Sequence, residues 1–430
     1  MIIQQEAPPH ALIAPLRTVY GPAMTEHAKL LKIIEQKRVR PVFQPIISIK
    51  EKRIVGFEAL SRGVDPESGR VIPPPWLFAT ARKFDLSLAF DRLCREKAIA
   101  DFASAGLPGE PLLFLNFDPS ILTQVIVGNA WLKKRVCESG LKPDNVAIEI
   151  VESKVENDSS LIRFVEIYRD FGFLIVLDDF GAQHSNLDRI LRLKPDIIKI
   201  DRELIHNVSR DYYKQSIVGS IIGLADKLGT VVLAEGVEQV EDIIQCSELG
   251  ICLFQGFHFA KPTGIQQIPP DFCHETIRET SVKLYHHLNI HVTRQMEIQA
   301  VYRRITQELC GRLSGRSQEE FDGLLRGEIN HFDRIQCLYV LNYDGHQAGQ
   351  TICRSEAFSP LRRRLFNPAV KGADHSLKSY YYYMQILRLD RFYTDPYVST
   401  ATGRICRTMS ARFKDGNGKP FILCVDFNIT

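Results

Sequence analysis

Eight short apolar runs between about Pro41 and Pro262 constrain this chain more than any other feature: Val42–Ile49, Ile54–Leu60, Leu112–Phe117, Val146–Val151, Leu174–Phe180, Ile197–Ile200, Val231–Val237 and Leu253–Phe259. Each is strand-sized, and amphipathic segments with helix punctuation lie between several of them. Asn157 and Asp158 cap a predicted helix with Leu161, Phe164, Val165 and Tyr168 on one face, stopped at Gly172. A second predicted helix carries Val218, Ile221, Ile222 and Ala225 and stops at Gly229. Strands alternating with helices imply parallel βα units. Eight strands in about 220 residues fit a (β/α)8 barrel of the TIM type better than an open doubly wound sheet.

Every run also carries a polar residue inside it or at its end: Gln44, Glu58, Asn116, Glu149, Asp178 with Asp179, Lys199, Glu235 with Glu238, and Gln255. Charged groups enter a barrel core only when paired or bound to metal. In such a barrel the C-terminal strand ends open on one face, so these residues would converge on one cup. Clustered carboxylates repel one another unless cations neutralise them, and hard oxygen donors favour Mg²⁺ or Mn²⁺. Adjacent aspartates at a strand end can both face the cup, where two metals would clamp a phosphoester. One lysine among them orients water or neutralises developing charge. The chemistry therefore points first to metal-assisted phosphodiester hydrolysis. A Schiff-base lysine at Lys199 is the rival, and it leaves the carboxylates unexplained.

Composition excludes other classes. The 430 residues are 45% apolar and 24% charged, and the formal charge is 54 − 51 = +3. No charge excess points to a nucleic-acid polymer or a membrane surface. No run of 18 apolar residues predicts a membrane span, and the first 24 residues do not read as a signal peptide. The ten cysteines form no CxxC pair, so reduced, buried thiols in a cytoplasmic protein are expected.

Glu58-Ala59-Leu60 is the signature of EAL domains, which this region resembles. It comes with Gln44-Pro45-Ile46, Glu149-Ile150-Val151-Glu152-Ser153, Asp178-Asp179-Phe180-Gly181, Lys199-Ile200-Asp201, Glu235-Gly236-Val237-Glu238 and Gln255-Gly256-Phe257, in that family's order and close to its spacing. The resemblance spans about residues 27–270. It implies a (β/α)8-barrel phosphodiesterase that opens cyclic di-GMP to linear pGpG with Mg²⁺ or Mn²⁺. It implies one metal on Glu58, Asn116, Glu149 and Asp178, and a second on Asp178, Asp179 and Glu235. Lys199 and Gln255 would hold the hydrolytic water. Gln44, Leu60 and Arg62 would contact the nucleotide. Glu152 would steady the loop after Asp179, and Glu238 would support the site from behind. The alternative is a weakly active or inactive effector that binds cyclic di-GMP; the retention of every metal ligand and of Lys199 favours the enzyme.

Two segments depart from that pattern. The loop after the paired aspartates reads Gly181-Ala182-Gln183-His184-Ser185-Asn186-Leu187, with Gln183 where a glycine is usual. Arg82-Lys83-Phe84-Asp85 replaces an acidic, glycine-containing stretch. The first bears on rate and regulation, the second on substrate affinity.

Beyond the barrel the pattern turns helical from Asp271, with no glycine until Gly311, and a second helix is expected near Glu319–Phe332. The last block is β-rich: Ile335–Asn342, Ile405–Phe413 and Phe421–Phe427, with a hairpin at Asp415-Gly416-Asn417-Gly418. It resembles, less specifically, a Cache or PAS-like sensor holding an unknown small ligand, with Tyr380–Tyr383, Arg391, Tyr393 and Tyr397 as candidate pocket residues. Arg362-Arg363-Arg364 reads as a solvated face. The expected organisation is an extension (1–26), an EAL barrel (27–270), a helical linker (271–332) and a sensor domain (333–430), assembled as a homodimer.

Overall fold

The computed structural model describes residues 25–122, 130–151, 158–182, 187–269, 271–357 and 366–429. It divides into two compact units, Met1–Leu288 and Asn289–Thr430.

The first unit is built on one sheet. Its strands are β1 (Val39–Ser48), β2 (Arg53–Val64), β3 (Val71–Ile72), β4 (Leu112–Phe117), β5 (Val146–Val151), β6 (Leu174–Phe180), β7 (Ile197–Ile200), β8 (Val231–Ala234) and β9 (Leu253–Phe254). The order is β1-β9-β8-β7-β6-β5-β4-β2-β3, and β1 also pairs with β2. Nine strands less the outlying β3 leave eight in a closed barrel. From β2 through β4 to β9 the ladder is parallel, as alternating strands and helices dictate. The first strand departs from the expectation of parallel units throughout: β1 is antiparallel to both β2 and β9. Only four residues separate β1 from β2, too few for a crossover helix, so the two form a hairpin.

Helix periodicity predicts the outer layer. Leu161, Phe164, Val165 and Tyr168 of the helix Asp158–Asp170 are buried in the barrel's shell. The helix Tyr212–Leu228 buries Val218, Ile221, Ile222 and Ala225 and ends at Gly229 in the left-handed region, where glycine carries no Cβ penalty. The Asn157 cap lies outside the described residues.

The helix expected from Asp271 to Gly311 runs His274–Leu313, and the second one Phe321–Glu328. In the second unit, Tyr302, Ile305, Leu309 and Leu313 of the long helix pack with Phe321 and Leu325. They cover one face of an antiparallel sheet of β10 (Ile335–Asn342), β11 (Ile352–Cys353), β12 (Arg391–Tyr393), β13 (Tyr397–Val398), β14 (Ile405–Lys414) and β15 (Pro420–Asn428), ordered β11-β10-β15-β14-β12 with β13 on β14. The β14–β15 hairpin closes at Asp415, whose Oδ1 accepts from the amides of Asn417 and Lys419. Alternation splits the sheet. Leu338, Val340, Leu423, Val425 and Phe427 face the helices, while Tyr339, Leu341, Ile422 and Cys424 face the helix Ser379–Ile386.

The cysteines depart from the expectation of reduced thiols at one pair. Cys337 and Cys353 form a disulfide, whereas the other eight cysteines are free. The two stand directly opposite each other on the β10–β11 ladder, a pairing that sequence separation alone does not display.

Candidate active site

The C-terminal strand ends of the barrel assemble the cup residue by residue. Register puts Asn116 beside Glu149 and Glu58 beside Gln44. Glu235 and Gln255 follow immediately after β8 and β9. Gln255 is fixed in place by its neighbour: a Cβ on Gly256 would stand 2.1 Å from the Val237 carbonyl oxygen, so only glycine lets the chain pass so close. Between Leu177 and Phe180 the β6–β7 register slips, and Asp179 takes the left-handed conformation at φ +56°. That conformation costs a non-glycine residue about 1–2 kcal/mol, least for Asp and Asn. The slip brings the ligand atoms of Asp178, Asp179 and Glu235 within 4.8 Å of one another.

Lys199 is the hub. Its side chain is 1% exposed, and its Nζ lies 2.7 Å from Glu149 Oε1, 3.1 Å from Asp178 Oδ1 and 3.6 Å from Glu58 Oε2. It also pairs with Glu235 Oε1. Amides hold the next layer. Asn116 Nδ2 donates to Glu58 Oε1 at 2.8 Å, and Gln255 Nε2 donates to Glu58 Oε2 at 2.6 Å and to Gln44 Oε1 at 3.2 Å. Gln44 Nε2 in turn donates to the Ala260 carbonyl at 3.1 Å.

The electrostatics follow from this geometry. Burial alone would lower the Lys199 pKa, but Asp178, Glu149, Glu235 and Glu58 push it well above the ordinary lysine value. It is an ammonium, not the free amine that a Schiff base requires, so the carboxylates oppose the Schiff-base reading. Burial pushes Glu149 and Glu235 well above the usual carboxylate range, reinforced by neighbouring carboxylates and only partly offset by Lys199. Burial also raises Glu58, yet Lys199 and the Gln255 and Asn116 amides outweigh it and hold this group below its usual value. Four carboxylates thus share one ammonium.

The donor set fits divalent cations on its own terms. Both Glu149 oxygens, Asp178 Oδ1 and Gln255 Oε1 are buried without a hydrogen-bond partner among the described residues. Glu149 Oε1 and Asp178 Oδ1 meet Lys199 only as ion pairs. Buried oxygen donors left without hydrogen bonds suit a hard cation.

A cavity of about 320 Å³ adjoins the cup, lined by Glu58, Leu60, Asn116, Asp178 and Asp179 together with Pro74 and Phe78. Leu60 is therefore on its wall. Arg62 is half-buried nearby and donates to the Ser61 carbonyl at 2.9 Å. Gln44 sits in the amide chain and is not on that wall. Glu238 lies at the rim, paired with Arg202 at 2.9 Å. Asp201 caps the short helix Arg202–Ile205 by accepting from the Glu203 amide. Glu152, Gln183 and His184 lie outside the described residues.

Sequence reasoning missed one pair on this wall. Asp91 and Arg95, four residues apart on the helix Ser87–Ala105, form a buried ion pair beside the cavity. The Arg95 guanidinium lies over the rings of Phe117 and Trp131, at 5.0 Å and 5.4 Å. The signal was present: two opposite charges at helical spacing on a face otherwise carrying Phe90, Cys94 and Ala98.

Residues 27–262 match the model of the EAL-domain family. The uncharacterized EAL-domain containing protein YkuI of Bacillus subtilis is 25% identical over 391 residues, covering 88% of this chain and 92% of that protein. The cyclic di-GMP phosphodiesterase RocR of Pseudomonas aeruginosa is 28% identical over 250 residues, covering 57% of this chain and 62% of RocR. The crystal structure of Bacillus subtilis YkuI in complex with substrate c-di-GMP and calcium has the same fold, with a TM-score of 0.75 at 22% identity, over 93% of this chain and 97% of that one.

Proposed function

The chain belongs to the EAL-domain family, and from that premise we propose that it is a metal-dependent phosphodiesterase that opens cyclic di-GMP to linear pGpG. The observation that carries this reading is the convergence of Glu58, Glu149, Asp178 and Glu235 on the Lys199 ammonium, with buried oxygens left unpartnered around it. RocR, a cyclic di-GMP phosphodiesterase, and YkuI, solved with that nucleotide, support the substrate.

Glu58, Asn116, Glu149 and Asp178 would hold one Mg²⁺ or Mn²⁺, and Asp178, Asp179 and Glu235 a second. Bound divalent cations would neutralise the phosphate and acidify water at neutral pH. Lys199 favours the ionised form of Glu58 and would keep a fixed positive charge beside the reacting phosphate. Gln255 fixes one Glu58 oxygen and Asn116 the other, so the carboxylate cannot rotate. The Gln255 Oε1 left without a partner among the described residues would accept from the attacking water. Leu60, Pro74 and Phe78 offer an apolar wall to a base, and the half-buried Arg62 guanidinium would offer a cation to a phosphate. Gln44 supports Gln255, and Glu238 steadies the rim through Arg202.

We assign residues 27–270 to the catalytic barrel, 271–332 to a helical linker and 333–430 to a Cache/PAS-like sensor that sets the barrel's activity within a homodimer. An antiparallel sheet with a cavity on one face supports the sensor reading. The test is turnover of cyclic di-GMP by the purified chain in Mg²⁺, in Mn²⁺ and in chelator. Metal-dependent appearance of pGpG is expected. Tight binding with no product under any metal would make the chain an effector instead.

A further inference from the structure

The second face of the antiparallel sheet carries a cavity of about 280 Å³. Of the tyrosines and arginine singled out by sequence, Tyr380 and Tyr397 line it. The others do not: Tyr381 donates to the Tyr343 carbonyl, Tyr382 and Tyr383 pack on each other, Tyr393 lies against Tyr302, and Arg391 is exposed. Arg362, Arg363 and Arg364 lie outside the described residues. Sequence reading missed the group that gives the cavity its chemistry. Asp426, in the middle of β15, is 2% exposed and forms part of the wall. Its Oδ1 accepts from Thr408 Oγ1 at 2.7 Å and from Tyr339 Oη at 3.4 Å. Among the described residues, both hydrogen bonds to this carboxylate reach Oδ1.

The rest of the wall fits a cation. Tyr339 and Tyr380 meet edge-on with centroids 5.9 Å apart, and Tyr380 lies 6.5 Å from Tyr397. Aromatic faces around a lone carboxylate favour an organic cation, whereas an anion would meet the carboxylate's repulsion. A single carboxylate with neutral hydroxyls is too sparse for a metal. The volume limits the ligand to a small molecule. His375 adds no charge at neutral pH. Burial and the nearby Lys378 push its pKa down to about 4. Its Nε2 lies 3.0 Å from Gln347 Oε1, a pure acceptor, so Nε2 carries the proton and Nδ1 accepts from the Tyr380 hydroxyl at 2.7 Å. Lys378 is exposed at the cavity's edge.

We propose that this cavity binds a small primary ammonium ion, whose charge pairs with Asp426 and whose carbon body lies among Tyr339, Tyr380 and Tyr397. The inference deepens the sensor reading of this unit, and its test measures binding apart from turnover, so either can fail alone. Burial holds the Asp426 carboxyl up to about 7, with Thr408 and Tyr339 acting to lower it. An ammonium ligand selects the ionised form. The groups around it do not titrate near neutrality. Tyr339, Tyr380 and Tyr397 are raised by burial, as are Cys406, to about 12, and Cys424; His375 is lowered; Lys378 keeps to the edge.

The experiment is calorimetric titration of the full chain with ethylammonium, alanine and propionate at pH 6 and pH 8. Ethylammonium and alanine should bind saturably, propionate should not, and amine affinity should rise about tenfold from pH 6 to pH 8 as Asp426 ionises. Asp426→Asn, which keeps the acceptor for Thr408 and Tyr339, should lose at least that factor at pH 8. Absence of saturable amine binding, equal binding of propionate, or an affinity that ignores pH in the wild-type protein would each overturn the proposal. The wild-type pH comparison needs no variant to fold.

Discussion

The barrel gathers Glu58, Glu149, Asp178, Asp179 and Glu235 around a single buried ammonium, whereas the antiparallel unit buries one carboxylate, Asp426, among hydroxyls and tyrosine rings. The first arrangement sets more carboxylates together than its one ammonium can balance, so burial favours the protonated form of Glu149 and Glu235. The second carries one charge that folding can suppress by keeping the proton on. Each site therefore selects a different kind of cation. The cup calls for ions of higher charge, and the cavity for a single monovalent cation. Architecture produces the contrast: a closed parallel barrel aims the ends of many strands at one point, while an antiparallel sheet presents a single strand's alternate residues to one face.

The sharpest way to break this comparison is to remove charge from the cup's shared ligand. Asp178→Asn should lower turnover by on the order of 10³-fold, the scale of losing one preorganised electrostatic contact at a reacting centre. Its melting temperature should stay near wild type. Normal turnover in Mg²⁺ would sink the assignment of Asp178 between two metals.

Lys199→Ala comes next. Turnover should fall by roughly 10²-fold, the scale of a positioned acid–base or charge-stabilising group. Binding of cyclic di-GMP in Ca²⁺ should survive, because Ca²⁺ tolerates looser oxygen geometry. Calorimetry showing binding lost together with activity would make Lys199 a structural counter-ion only.

The corresponding test in the other unit is a pH dependence. Asp426 ionises near 3.8 when unfolded and is held up to about 7 in the fold. Its contribution to stability is full below about pH 4 and is lost as pH rises to about 7, amounting to a few kcal/mol. His375 acts with the opposite sign. Its folded pKa of about 4 against 6.5 makes its contribution present at high pH and lost as pH falls through that window. Calorimetric unfolding of the wild-type chain and of Asp426→Asn separates them: the wild type should lose stability relative to the variant between pH 4 and 7. Parallel curves would show that Asp426 is ionised in the fold.

Gly256→Ala should have the smallest effect of these on turnover and still be measurable. A Cβ there meets the Val237 backbone at 2.1 Å, so the loop must shift, at about 1–3 kcal/mol. The shift moves Gln255, so turnover should fall further than the lost stability alone explains. A variant as active and as stable as wild type would show that the approach of these two backbones does not position Gln255.

How much of this was legible differs between the two units for the same physical reason. Polar residues recur in every apolar run of the barrel, and such repetition survives without any structure. Gln44, Glu58, Asn116, Glu149, Asp178, Lys199, Glu235 and Gln255 could all be read from it, and the structure brings them together in one network. Direction was not legible at β1, where the hairpin length outweighed the βα alternation. Asp426 gives one polar letter near the end of Phe421–Phe427, and nothing in sequence tells a buried carboxylate there from a solvated one. Its depth depends on Tyr339, Tyr380 and Tyr397, brought in from separate segments. The Cys337–Cys353 pairing likewise depends on ladder register, which sequence fixes only through the whole sheet.

The most direct test of the central claim, that the barrel cup is completed by divalent cations, is a Mn²⁺ titration of the metal-free chain in which bound metal and cyclic di-GMP turnover are measured on the same samples. Two Mn²⁺ per chain are expected with substrate present, with pGpG formation rising as the second is filled and Asp178→Asn failing in both respects. Full turnover by chain stripped of divalent metal, or by Asp178→Asn, would contradict the account.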